Sequence, residues 1–336
     1  MKFTMLTYLL LASSCLLSQI TTDYSEVDAY IRNAPKSFKH VDEIASYIMN
    51  KPSSEIEKAR MIYVWLAENI AYDDAGYNAK KLGENSAEEV LRTRVGVCEG
   101  YANAFLSIGE KVGLEIIKII GCAKGYDYES DITDNVEESS NHAWNAIKID
   151  GTWAIYDATW GSGAGMTNKK GKLVSVKEFT GDWFQVDPKI AIYTHFPIND
   201  AQQYLEKPIA FLRYTEMPRI GPEAFKRQWL NPDEVLLMAQ SKNPMDFASY
   251  YEAIHQGTIL APSARLLKKG KPNTIEIRTT EVKNIFLINS DEEWIPFNVA
   301  DGVYSYVLNT KIPGDYNIVV HLKDNEYYTL LSYQIE

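Results

Sequence analysis

Asp150-Gly151 constrains this chain more than any other pair of residues, because it stands between two strand-forming runs and leaves them essentially one way to pair. Asn141-His142-Ala143-Trp144-Asn145-Ala146-Ile147-Lys148-Ile149 leads into the turn, and Thr152-Trp153-Ala154-Ile155-Tyr156-Asp157-Ala158-Thr159-Trp160 leads out of it. A two-residue loop there pairs Ile149 with Thr152. Counting outward sets Trp144 opposite Asp157 and His142 opposite Thr159. His142 and Asp157 then share one face as diagonal neighbours, about 7–8 Å apart at the backbone, within reach of an imidazole and a carboxylate. A slip of one residue would send them to opposite faces. By itself such a pair is more often a polar contact than a catalytic dyad, so its meaning depends on what else the chain supplies.

Cys98 supplies it. The run from Tyr101 to Val112, with Ala102, Phe105, Leu106, Gly109 and Val112 on one side, reads as a helix with Cys98 at its amino end. A thiol in that position is favoured as thiolate by the helix dipole, and more so beside an imidazolium. Gly96 and Gly100 leave little bulk around it, which suits close approach of a substrate carbonyl. The bland alternative is a small buried residue at a helix start. Cys122, after Ile116-Ile117-Lys118-Ile119-Ile120, reads as an ordinary strand residue, although it could pair with Cys98 in a disulfide.

Two further helices announce themselves by their caps. Ser54 with Glu57 opens an amphipathic helix carrying Ile56, Ala59, Ile62, Tyr63, Leu66 and Ile70, and Ser86 with Glu89 opens a short one through Val90 and Leu91. Glu115–Cys122, Ala143–Ile149 and Thr152–Thr159 read as strands. The fold class is therefore α+β, helices packed on an antiparallel sheet. From 218 to 256 the chain turns helical and irregular around Pro222, Pro232 and Pro244. Beyond 257 the stretches Thr274–Arg278, Asn284–Ile288, Val303–Leu308, Tyr316–His321 and Tyr327–Tyr333 suggest a small Ig-like β-sandwich. The expected organisation is a signal at 1–20, a catalytic domain at 21–217, a connector at 218–256 and a sandwich at 257–336.

With 336 residues the chain exceeds one typical domain, and its net charge of −11 argues against nucleic acid as a partner. The apolar run Leu6–Leu17 after Lys2 is too short to span a bilayer, which needs about 20 residues, and reads as a secretory signal. The protein is then secreted, periplasmic or held at the cell envelope, with no transmembrane helix once the signal is removed. Cys15 is a poor lipid-attachment site, since Ala12-Ser13-Ser14 lacks the usual Leu and small-residue finish.

Three segments in this order, Gly96-Val97-Cys98-Glu99-Gly100-Tyr101-Ala102-Asn103-Ala104-Phe105, then Asn141-His142-Ala143-Trp144-Asn145, then Trp153 to Gly161, resemble the transglutaminase-like superfamily and in particular its kyphoscoliosis-peptidase-like branch. The resemblance takes in Glu57-Lys58-Ala59-Arg60, Trp65, Ile70, Tyr72 and Asp73 upstream, and Asp187-Pro188 and Tyr193-Thr194-His195-Phe196-Pro197 downstream, roughly residues 40–200. It implies a papain-like cysteine-protease core with Cys98 as nucleophile, His142 as base and Asp157 as the residue that orients the base. It also implies acyl transfer through a thioester.

Water as the acceptor makes a peptidase or amidase acting on protein or peptide substrates, and is the favoured reading; an amine makes a crosslinking transglutaminase. A catalytically silent binding module of the cell envelope is the third reading. The first oxyanion donor is the Cys98 N–H, and Trp65 and Tyr72 compete for the second, Trp65 having the spacing of a core residue. His195 is expected to make a structural hydrogen bond. No cofactor is implied, and a metal site of Cys98, His142, Asp157 and His195 is disfavoured because no ligands fall at short paired spacing. The acidic loop 126–140 and the Gly- and Lys-rich loop 161–175, with Lys169, Lys170 and Lys172, flank the hairpin; solvated loops are the simpler reading.

Overall fold

Helix Glu55–Asn69 begins where its cap requires, with the Ser54 amide and hydroxyl both donating to the Glu57 carboxylate at 2.7 Å. This is a computed structural model, and it describes residues 23–336 apart from 126–127, 129–134, 169, 227–228, 241–247, 252, 255–256, 310 and 323–325. The expected signal at 1–20, with Cys15, lies outside the described residues. No described helix is long and apolar enough to cross a membrane.

Helix Glu55–Asn69 departs from its expected amphipathic character: every residue from Ala59 to Ala67 is buried. A helix covered on all sides is a central one. Helices Ser25–Arg32 and Val41–Met49, which no motif announced, add cover, and the helix beginning at Cys98 packs on it too. Arg60 is tolerated inside because Asp28 of the first helix takes its guanidinium through two hydrogen bonds of 2.8 Å. Breaking one side of such a buried pair costs about 3–5 kcal/mol.

The antiparallel sheet runs in the order Thr152–Tyr156, His142–Ile149, Glu115–Ala123, His195–Pro197. Its register is the one the turn dictates, Ile149 against Thr152 through Asn145 against Tyr156, with Asp150 and Gly151 at φ of 50° and 80°. The strand His195–Pro197 is too short to show a pattern and is recruited from 38 residues beyond Asp157. The segment expected as a Gly-rich loop at 161–175 is instead a hairpin of Gly163–Thr167 and Leu173–Lys177. Asn168 and Gly171 make its turn, while the alternation of Val174 and Val176 with polar partners was masked by glycine and lysine content.

Beyond residue 257 two sheets face each other. One is ordered Thr258–Leu260, Asn273–Arg278, Val303–Leu308, Asn298–Ala300; the other has Tyr327–Ile335, Gly314–Leu322 and Val282–Ile288 at its centre. All five expected strands are present, some longer by a few residues. Ile275, Ile277, Ile285, Leu287, Ile318 and Leu331 fill the space between, in a core that continues through Tyr250 and Tyr214 to Phe196 and Cys122. Helices Phe211–Glu216, Pro222–Lys226 and Pro232–Ala239 occupy the middle of the chain. Lys124 ties the first of them down, its buried ammonium donating to the carbonyls of Tyr214 and Met217.

Candidate active site

Helix Cys98–Lys111 starts at the cysteine itself, with Val97 as an N-cap that offers no side-chain acceptor. The first amides of a helix lack intrahelical partners, so this end of the helix presents free N–H groups and the positive pole of the dipole around Cys98. Cys98 is half-buried and unbridged, and Cys122 is a buried thiol on the strand Glu115–Ala123, so the disulfide option is not taken. The expectation that Gly96 and Gly100 make room for substrate is corrected. A Cβ on Gly100 would lie 2.7 Å from Val90 Cγ2, and one on Gly96 3.1 Å from the same atom. Both glycines let helix Ala87–Thr93 close against the cysteine helix.

His142 is the first residue of its strand, paired with Gly121. Asp157 stands one residue past the end of its strand, which stops at Tyr156, so the expected pairs Trp144 with Asp157 and His142 with Thr159 do not form. The chain turns away because Asp157 caps its own turn: Oδ1 accepts from the amides of Thr159 at 2.8 Å and Trp160 at 3.0 Å. The parity of the register still leaves His142 and Asp157 together, Nε2 to Oδ2 at 2.7 Å. The remaining ring nitrogen, Nδ1, is left for the Cys98 thiol, which hydrogen-bonds His142.

His195 joins the same carboxylate. Its Nε2 lies 3.1 Å from Asp157 Oδ2, and its Nδ1 2.9 Å from the Thr194 hydroxyl. The expected structural hydrogen bond thus exists and ends on Asp157. Oδ1 holds two amides and Oδ2 two imidazoles, so the carboxylate, 1% exposed, is saturated without water.

The two histidines titrate in opposite directions. Burial pulls His142 down, but the charges of Asp157 and Cys98 and its hydrogen bonds to both outweigh it and push the ring up to about 10. Burial also dominates at His195, and there the Asp157 contacts do not compensate, so the ring falls to about 4. Burial alone would raise Asp157, yet His142 and then His195 hold it well below the ordinary carboxylate range. Around neutrality the cluster is therefore an imidazolium, a carboxylate and a neutral imidazole. Trp160 packs on both rings, 5.4 Å from His142 and 4.5 Å from His195 between centroids, and Trp183 closes the far side of His195 at 5.1 Å.

His142, Tyr72, Trp160 and the hairpin residues Gly163–Gly165 line a cleft of about 740 Å³. Tyr72 therefore reaches this wall. Trp65 does not line it: it is 2% exposed in the helical core, with the Arg94 guanidinium 4.3 Å from its ring centroid. Of the flanking loops, Glu137 and Glu138 are exposed, as are Lys170 and Lys172, whereas Asp127, Glu129, Asp131, Asp134 and Lys169 lie outside the described residues. His142, Asp157 and His195 offer three ligand atoms within 4.8 Å of one another. Their separations of 2.7 and 3.1 Å are those of hydrogen bonds, and a zinc ion, needing about 2.0–2.2 Å from each donor, would have to spread the cluster apart.

A family model described as the transglutaminase-like superfamily matches residues 42–158. The chain is similar to the kyphoscoliosis peptidase of Homo sapiens, 31% identical over half of this chain and 25% of that protein. It is likewise similar to the kyphoscoliosis peptidase of Mus musculus, 30% identical over 60% of this chain and 30% of that protein. The match thus spans less than a third of the length of these relatives. Among solved structures, that of a TGase overlaps 43% of this chain and 35% of its own, at 16% identity and a TM-score of 0.25.

Proposed function

Because residues 42–158 are a transglutaminase-like domain of the kyphoscoliosis-peptidase-like branch, we propose that the chain is a thiol acyl-transfer enzyme that cleaves protein or peptide amides. The observation that carries the reading is the 2.7 Å bond from His142 Nε2 to Asp157 Oδ2, on a ring whose other nitrogen is left to the thiol of Cys98. In this reading Asp157 fixes the ring and stabilises the charge it already carries, Cys98 having given its proton to His142 before substrate arrives. The sulfur attacks the amide carbonyl, and the oxyanion is met by the Cys98 amide and by Tyr72 from the cleft wall. The imidazolium then protonates the departing amine and a thioester remains. Water, deprotonated by the now neutral His142, releases the acid and restores the sulfur–imidazolium pair.

A primary amine in place of water would make the same machinery a crosslinking enzyme, and the acceptor is what the test must separate. Incubated with peptide mixtures and putrescine, the protein is expected to produce cleaved peptides; incorporation of putrescine with no cleavage would overturn the hydrolytic reading. Cys98 alkylation by iodoacetamide that is indifferent to His142→Ala would overturn the nucleophile itself. We read residues 1–20 as an export signal that delivers this activity outside the cytoplasm. An exported protein whose mature amino terminus lies near residues 18–20 is the expected outcome of expression in a secreting host.

A further inference from the structure

The hairpin Gly163–Thr167/Leu173–Lys177 has two edges, and they are treated differently. The amides of Asn168 and Glu178 donate to the carbonyls of Lys172 and Ser162. In an antiparallel pair such exchanging residues alternate with residues whose polar groups point away. The ladder therefore uses Ala164 with Val176 and Met166 with Val174, and the polar groups of Gly163, Gly165, Thr167, Leu173 and Ser175 point outward. On the Leu173–Lys177 side this edge is closed by side chains of the helix Asp74–Ala79. Asn78 takes both the N–H and the C=O of Leu173, at 3.0 and 2.8 Å, and Asp74 takes the amide of Ser175 at 2.8 Å.

On the other side the Gly163 amide turns back to Trp160. Among the described residues no hydrogen bond reaches the outward N–H and C=O of Gly165 or the C=O of Gly163. Open strand edges are normally blocked by charge, proline or a covering element. This one carries Gly163, Ala164 and Gly165, whose small side chains leave the backbone accessible, and all three line the cleft that holds His142. A row of alternating donors and acceptors repeating every second residue is matched by the main chain of an extended polypeptide.

We propose that the Gly163–Thr167 edge is the substrate-binding rail: an extended peptide adds to it as a third strand and is read through its backbone. The substrate class is then unfolded or extended polypeptide, recognised with little regard to sequence along the rail. The proposal rests on the reading of Cys98 as the nucleophile paired with His142, which lines this cleft, and its test separates the two.

The measurement is the rate at which Cys98 is alkylated by acetyl-tetraalanyl chloromethyl ketone and by iodoacetyl-tetraalanine amide, each against its peptide-free counterpart. At least one peptide reagent is expected to react roughly tenfold faster, the scale that two or three main-chain hydrogen bonds supply. Only alternate residues of an added strand face the rail. Of two versions of that reagent N-methylated at alternate amides, one is therefore expected to keep the acceleration and the other to lose it. Gly165→Pro, which removes an amide the ladder does not use, is expected to bring the ratio of the peptide to the peptide-free rate down to about one.

Equal rates for peptide and peptide-free reagents, or acceleration that survives both N-methylations, would overturn the rail while leaving the nucleophile intact. Should Cys98 prove inert to every reagent, the nucleophile reading falls and the rail is judged by hydrogen exchange. Acetyl-tetraalanine amide added to the whole protein is expected to slow exchange of the Gly165 amide, and unchanged exchange would overturn it.

Discussion

The two halves of the molecule are both built around antiparallel strands, yet they bury different things. Asp28, Arg60, Lys124, Asn145, Asp157, Thr159, Ser162, Thr194, His195, Gln203 and Glu223 are buried polar or charged residues, and among the described residues beyond them only Thr279 joins the set. Between the sheets of the carboxy-terminal half lie Ile275, Ile277, Ile285, Leu287 and Ile318. Burying polar groups is costly unless each is paired, so a chain that concentrates them in one half is maintaining something there that packing alone does not require. The first half thus pairs buried charges around Asp157, and the second is held by apolar packing.

The severest way to break that contrast is to remove the base. His142→Ala is expected to slow iodoacetamide modification of Cys98 by about 10–30-fold at neutral pH, as the sulfur loses its imidazolium partner and returns toward the ordinary thiol value near 8.5; a change of less than about twofold, by mass-spectrometric mapping of Cys98, would place the chemistry elsewhere. Next is Asp157→Asn, which leaves two buried imidazoles facing an amide. It is expected to cost about 3–5 kcal/mol in urea unfolding, and to bring the His142 titration seen by NMR down from about 10 toward the ordinary histidine value.

Ile318→Ala, in the supporting half, should cost about 2–5 kcal/mol of stability through its cavity while the Cys98 alkylation rate of the folded protein stays put. A rate that moved with Ile318 would show that the sandwich shapes the site and would dissolve the comparison. The smallest effect is reserved for His195→Gln. In the folded protein His195 takes up its proton only near about 4, whereas the unfolded chain does so around the ordinary value near 6.5. Stability from this residue is therefore lost as pH falls from about 6.5 to about 4, and is flat below. The variant should lose that slope in pH-dependent melting while alkylation slows only severalfold.

What could be read ahead of the structure follows the range of the interactions. The turn at Asp150-Gly151 and the caps at Ser54 and Ser86 are local, and each set its element to within a residue or two. The sandwich strands showed because one face of each is wet and alternation survives. His195 was visible as a residue but not as a partner of Asp157, because a contact across 38 positions leaves no trace in either neighbourhood. The helix Glu55–Asn69 reads as amphipathic from the spacing of Ile56, Ala59, Ile62, Tyr63, Leu66 and Ile70, and nothing near Arg60 in the sequence shows that Asp28, 32 residues away, makes it an interior residue. The hairpin at 163–177 was hidden by the glycines that keep its edge bare.

The saturated carboxylate at Asp157 has a consequence for how the protein meets acid and base. Between about 4, where His195 would gain a proton, and about 10, where His142 would lose one, nothing in the histidine–aspartate cluster changes charge. A change of pH within those bounds leaves the charges on His142, Asp157 and His195 as they are, whereas Lys177 on the cleft wall and the buried Lys124, pushed down by burial to about 8 and about 7, titrate inside them.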